Sequence, residues 1–170
     1  MDKKDVVTEY VINSCFVSKA KITDIADWFI LKSKMSNKRV QKLCYYAEAW
    51  CQVLYGQSIT EDAEFQAWVH GPVNSVLYEK FRDYGWREFK ITNPEETKKR
   101  LDKILCKEQI EVLESVWETY GEYGADELEE LTHKEKPWLE KRAGLGIFES
   151  GDRVISKETM RQYYSERQIN

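Results

Sequence analysis

A chain of 170 residues, 42% hydrophobic and 13% aromatic, has the apolar content for one folded core, which excludes global disorder. A chain of this length buries roughly 70% of the surface its unfolded form exposes. Its net charge of −4 disfavours nonspecific polyanion binding by the whole molecule, though not a local basic face, and makes nucleic acid a poor candidate partner. With no 18-residue apolar run and no signal-peptide core, the sequence predicts neither a membrane span nor export, and points to a cytoplasmic protein.

The first twenty residues, with Asp5-Val6-Val7-Thr8-Glu9-Tyr10-Val11-Ile12, are β-branched and weakly patterned; residues 1–21 read as an N-terminal arm or an added element. From Thr23 a helical period begins, with Ile22, Ile25, Ala26, Phe29 and Ile30 on one face and Thr23 or Asp24 near the cap. A polar break follows, and then Val40, Leu43, Cys44, Ala47, Cys51 and Leu54 form an apolar stripe on a second helix that ends at Gly56.

Between Ser58 and His70 lies the one good strand signal. Phe65, Ala67 and Val69 alternate with Gln66, Trp68 and His70, and with Ile59 nearby a small hairpin is expected around residues 58–70. Gly71-Pro72 then breaks the strand period. A helix is predicted from Val73 to Tyr84, with Val73, Val76, Leu77, Phe81 and Tyr84 facing inward and a stop at Gly85.

Asn93-Pro94-Glu95-Glu96 is a helix start: a capping residue, Pro at the first helical position, and acids at the positive end of the dipole. Its body, Thr97 to Cys106, is polar enough to lie on the surface. Ile110, Leu113, Val116, Trp117 and Tyr120 make a core face ending at Gly121. Ala125 to His133, a Pro137-led turn through Ala143, a stop at Gly144 and a last helix capped by Ser156 complete the chain. The expected fold is mainly α: a single helical-bundle domain of about six to eight helices with a small β-hairpin.

Cys15, Cys44, Cys51 and Cys106 show neither a CxxC pair nor zinc-ligand spacing and read as reduced structural thiols. Glu130-Leu131-Thr132-His133 places a carboxylate and an imidazole on one helical face, but a di-iron bundle needs a second such pair, and Ala67 precedes His70 at the matching position. No nucleophile elbow, Walker or dinucleotide glycine pattern occurs. No catalytic residue, metal or cofactor is therefore assigned, and the chain reads as a non-enzyme.

Lys32, Lys34, Lys38, Arg39 and Lys42 surround the joint between two helices in the outline of a helix-turn-helix. This supports an alternative reading as a DNA-binding or prophage-associated regulatory protein. Against it stands the aromatic count: Tyr45, Tyr46, Trp50, Trp68, Tyr78, Trp86 and Trp138 exceed what the inward helix faces require. Surplus aromatics anchor protein interfaces.

The chain resembles the Panacea antitoxin domain family, also known as SocA-like antitoxins or phage GepA-like proteins. The resemblance runs in order through Ala26-Asp27-Trp28-Phe29-Ile30, Val40-Gln41-Lys42-Leu43-Cys44-Tyr45-Tyr46-Ala47-Glu48-Ala49-Trp50 and Glu64-Phe65-Gln66-Ala67-Trp68-Val69-His70-Gly71-Pro72-Val73. It closes with Val76-Leu77-Tyr78, Leu128-Glu129-Glu130-Leu131-Thr132-His133, Pro137-Trp138 and the Ile155-Ser156 helix. It implies a Panacea-like domain over residues 22–170 and a role as the antidote in a bacterial or phage toxin–antitoxin pair. The implied partner is a cognate protein toxin, expected from the adjacent reading frame and neutralised by direct contact, with delivery to a protease as a variant. The expected contact residues are Trp68, His70, Gly71 and Pro72, with Tyr46 and Lys38 on the neighbouring helix.

Overall fold

One helix runs through the middle of the molecule, and the others are arranged around it. The computed structural model describes residues 19–167. In chain order these form α1 (Ile22–Lys32), α2 (Asn37–Tyr55), β1 (Gln66–Trp68), β2 (Gly71–Val73), α3 (Ser75–Phe81), α4 (Pro94–Ile104), α5 (Lys107–Tyr120), α6 (Ala125–His133), α7 (Lys136–Lys141) and α8 (Lys157–Ser165). The described residues thus hold eight helices and a two-stranded antiparallel sheet, the mainly helical bundle that the sequence predicts. The proposed arm lies outside the described residues except for its last three. Of those, Ala20 is buried and Lys21 caps α1, where its backbone N–H donates to the Asp24 carboxylate at 2.8 Å.

The axial position of α2 follows from its composition. Thirteen of its 19 residues are buried, on all sides rather than along one stripe. Helices α1, α5, α6 and α8 pack around it, together with β2 and α3. Ser36 caps its start through the Arg39 N–H, and Gly56 at φ 64° closes its end. Leu54, expected in the stripe, is exposed, because the last turn packs through its neighbours Val53 and Tyr55 instead.

Buried polar side chains on α2 hold the irregular elements. Gln41 exchanges two hydrogen bonds with the backbone of Asn74, donating to its carbonyl at 3.0 Å and accepting from its N–H at 2.8 Å. The Asn74 side chain caps α3 through Leu77 N–H and donates to the carbonyls of Asp62 and Glu64. Glu48, fully buried, accepts from Ile59 N–H at 2.9 Å and Gln52 at 2.8 Å, and lies 3.4 Å from the Lys157 ammonium. These bonds satisfy groups that would otherwise be costly to bury.

The hairpin differs from expectation in place and partner. It spans residues 66–73, with Trp68 opposite Gly71 and Gln66 opposite Val73. Its second strand is the segment the sequence reading gave to a break and a helix start. Val69 and His70 keep negative φ, so the left-handed step of the turn falls on Gly71 at φ 102°. The outer edge of β1 is covered by residues 153–155: Ala67 N–H donates to Arg153 O at 2.9 Å, and Ile155 N–H to Phe65 O at 2.8 Å.

Because Val73 is spent in the strand, α3 starts at Ser75 and gives way to a 3-10 turn at Arg82–Tyr84. Leu77 and Phe81 face the core, whereas Val76 and Tyr84, predicted inward, are exposed. The thiol prediction is also corrected. Cys44 and Cys51 are buried and free, but Cys106 is disulfide-bonded, and Cys15 lies outside the described residues.

Candidate functional site

A cleft of about 670 Å³ opens where the start of α2, the hairpin turn, α3 with its 3-10 extension, and the 150–152 segment converge. Small-ligand pockets and anchor sites typically fall between roughly 300 and 1,000 Å³. Trp68, Tyr78 and Trp86 supply its aromatic surface, with Trp68 and Tyr78 in tilted contact at 4.8 Å. Trp86 is 69% exposed. It is held from beneath, by the His70 ring edge-on at 5.6 Å and by the Lys38 ammonium 5.4 Å from its centroid.

Lys38, Glu129 and His70 form one hydrogen-bonded chain. Lys38 Nζ lies 2.5 Å from both Asp126 and Glu129, and His70 Nδ1 lies 2.9 Å from the other oxygen of Glu129. Burial works to raise the Glu129 carboxyl, but the hydrogen bonds from Lys38 and His70 hold it below the usual carboxylate range. Burial likewise works to lower Lys38, and its two carboxylates outweigh that and raise it. Both Glu129 oxygens are therefore occupied.

Lys42 lies one helical turn beyond Lys38, in a different environment. Its side chain is 1% exposed and lines the floor of the cleft. Its single hydrogen bond among the described residues goes to the Pro72 carbonyl at 3.2 Å. No carboxylate of the described residues pairs with it. Burial pushes its amine down to about 7, with Lys38 adding to the effect and Glu129 opposing it. Gly71 makes the space: a Cβ at that position would come 2.5 Å from Lys42 Cε and 2.9 Å from Thr132 Oγ1. Beside Lys42, Asn37 is 7% exposed and also lines the cleft, and its Oδ1 has no hydrogen-bond partner.

The structure brings three of the expected contact residues, Lys38, Trp68 and His70, to this cleft. Gly71 and Pro72 lie beneath it as the backbone against which Lys42 is seated. Tyr46 is not part of it. Its side chain is fully buried, stacks on Tyr120 at 4.0 Å and donates to Glu135 at 2.5 Å, so packing and a buried acceptor draw it into the core at the middle of α2, away from the surface expected of it. Of the basic cluster, Lys38 is ion-paired, Arg39 donates to the Gly121 carbonyl at 2.5 Å, and Lys42 is buried.

The sequence reading put Lys42 in a basic cluster and Trp86 among the surplus aromatics, but counted neither, nor Asn37, among the expected contact residues. A signal for Lys42 was available: Tyr45, Tyr46 and Ala49 follow at i+3, i+4 and i+7, which places it on a buried stripe. For Trp86, after Gly85 in an irregular segment, no periodicity could give its direction. His133, the other half of the Glu130 pair, stacks on Trp138 at 4.0 Å, while Glu130 turns to Lys134 at 2.9 Å.

A family model described as antitoxin SocA-like, Panacea domain, matches residues 40–139. The matched span takes in most of α2, the hairpin, Trp86, Glu129 and most of α7. No curated protein and no solved structure matches the chain.

Proposed function

The chain belongs to the SocA-like, Panacea-domain antitoxin family, and from that premise we propose that it neutralises a cognate protein toxin by direct contact through the cleft around Trp68, His70 and Trp86. The observation that carries this reading is the seating of Trp86. A large indole left mostly in water, yet fixed by His70 and Lys38, is pre-organised at little entropic cost for an incoming surface. Exposed aromatics held in this way are what interface anchors require, whereas a purely structural tryptophan would be covered.

The test is growth on induction of the protein encoded in the adjacent reading frame, with and without this chain. Rescue and co-purification are expected with the wild type. Trp86→Ala, at a mostly exposed site, should stay folded by circular dichroism and lose most of both. If the wild type neither rescues nor co-purifies, the proposal fails. If Trp86→Ala rescues as well as the wild type, the cleft is not the contact.

A further inference from the structure

Below the aromatic rim, the floor of the cleft carries two polar groups whose bonding capacity the described fold leaves unused. The Lys42 ammonium has three donors and gives one, to the Pro72 carbonyl. Asn37 Oδ1 accepts nothing. Both residues are more than nine-tenths buried, and both line the cleft. An amine buried without a counter-ion holds its proton weakly, so a carboxylate brought to it is rewarded with a charge-assisted bond, and a buried carbonyl without a donor is costly as well. Glu129, the carboxylate that acts on Lys42 through its charge, is hydrogen-bonded to Lys38 and His70 and makes no bond to Lys42.

We infer that the cleft receives an acidic residue of the protein partner, its carboxylate seated on Lys42 and its backbone N–H directed to Asn37 Oδ1. This inference rests on the antitoxin reading. The chemistry favours a peptide over a phosphate ligand, because Lys42 and Asn37, both lining the cleft, ask for opposite things: the amine for an acceptor and the Asn37 carbonyl for a donor, which a fully ionised phosphate lacks. A carboxylate followed by its own amide presents the matching pair. The walls of Trp68, Tyr78 and Trp86 suit an apolar neighbour of that acidic residue. Gly71 belongs to the same device, since a Cβ there would drive the Lys42 side chain out of its seat.

The test needs no toxin. The probe is a short acetylated peptide amide, Leu-Glu-Leu, titrated at constant ionic strength and followed by the fluorescence of Trp68 and Trp86. Its neutral isostere, Leu-Gln-Leu, is the control. Saturable binding of the acidic peptide is expected, with the neutral one at least about tenfold weaker, as for the loss of one charge-assisted hydrogen bond. Lys42→Met should remove that preference while keeping its helical signal.

Should Lys42→Met fail to fold, wild-type protein carrying 13C at lysine Cε gives a second measurement. The Lys42 resonance should shift on adding the acidic peptide while lysines away from the cleft stay put. Equal response to both peptides, or an unmoved Lys42 resonance, overturns the inference. Saturation by inorganic phosphate or by a nucleotide in place of the peptide also overturns it, in favour of a phosphate ligand. Because toxin rescue is scored separately, this inference can fail while the antitoxin reading stands, and the reverse.

Discussion

At Gly71 three demands meet in one residue. The turn needs a left-handed step, the Lys42 side chain needs the space a Cβ would fill, and Thr132 closes the other side. Gly71→Ala should therefore cost about 2–4 kcal/mol, from a strained φ together with a displaced lysine. Urea unfolding of the two proteins measures it, and a loss under 1 kcal/mol would show that the lysine has somewhere else to go. The sequence makes half of this legible, since a Gly-Pro pair after an alternating run announces a turn. It does not reveal that the glycine serves a lysine 29 positions earlier, because steric exclusion between distant segments leaves no periodic trace. Lys42 itself looks like one of several surface cations until the helix around it is known to be buried on every side.

Among the elements, those with a strong period came out as read: α1, α2, α5, α6 and the Ser156-capped α8. The misreading lay between Ser58 and Tyr84, where short pieces are fixed by side chains from elsewhere. Three-residue strands have no room for a pattern, and β2 exists because Gln41 and Asn74 hold its exit to α2. The loop after α7 is built in the same way. The buried Arg142 guanidinium donates to the carbonyls of Ala67 at 3.2 Å, Gly146 at 3.0 Å and Glu149 at 2.5 Å, which ties the loop to β1. At its tip Ile147 and Phe148 stand 83% and 87% exposed. Arg142→Met should loosen this loop alone. Amide exchange at Gly146 and Glu149 should quicken by about tenfold or more, for a loss of roughly 1–3 kcal/mol in charged hydrogen bonds, while α2 amides keep their protection. Equal acceleration in α2 would mean that the arginine supports the whole bundle.

The whole molecule is closed around Glu135, which lies between α6 and α7 and reaches into the packing of α2 and α8. It accepts from Tyr46 at 2.5 Å and Tyr164 at 3.1 Å, and Tyr45 extends the chain to Tyr164 at 3.1 Å. Burial lifts this carboxyl from 4.5 to about 7, with the two tyrosine hydrogen bonds opposing the rise. The sign follows from linkage: an acid raised in the folded state lends stability below its unfolded value and loses it as pH climbs through the folded one. Relative to the wild type, Glu135→Gln should therefore gain thermal stability between pH 4.5 and 7 and hold the gain above that. A flat difference across this window would show that Glu135 titrates normally. Sequence reading reached the overall architecture through repeated helical faces, but a single acid placed among tyrosines is a product of assembly. One further consequence follows from the helix at the centre. With α2 walled in along most of its length, the protein divides into a rod whose buried positions bear on several neighbours at once and a skin where many substitutions are felt only locally. Partner choice can then drift in the skin, at the Trp86 rim or the Ile147–Phe148 tip, while the rod goes on specifying the same shape.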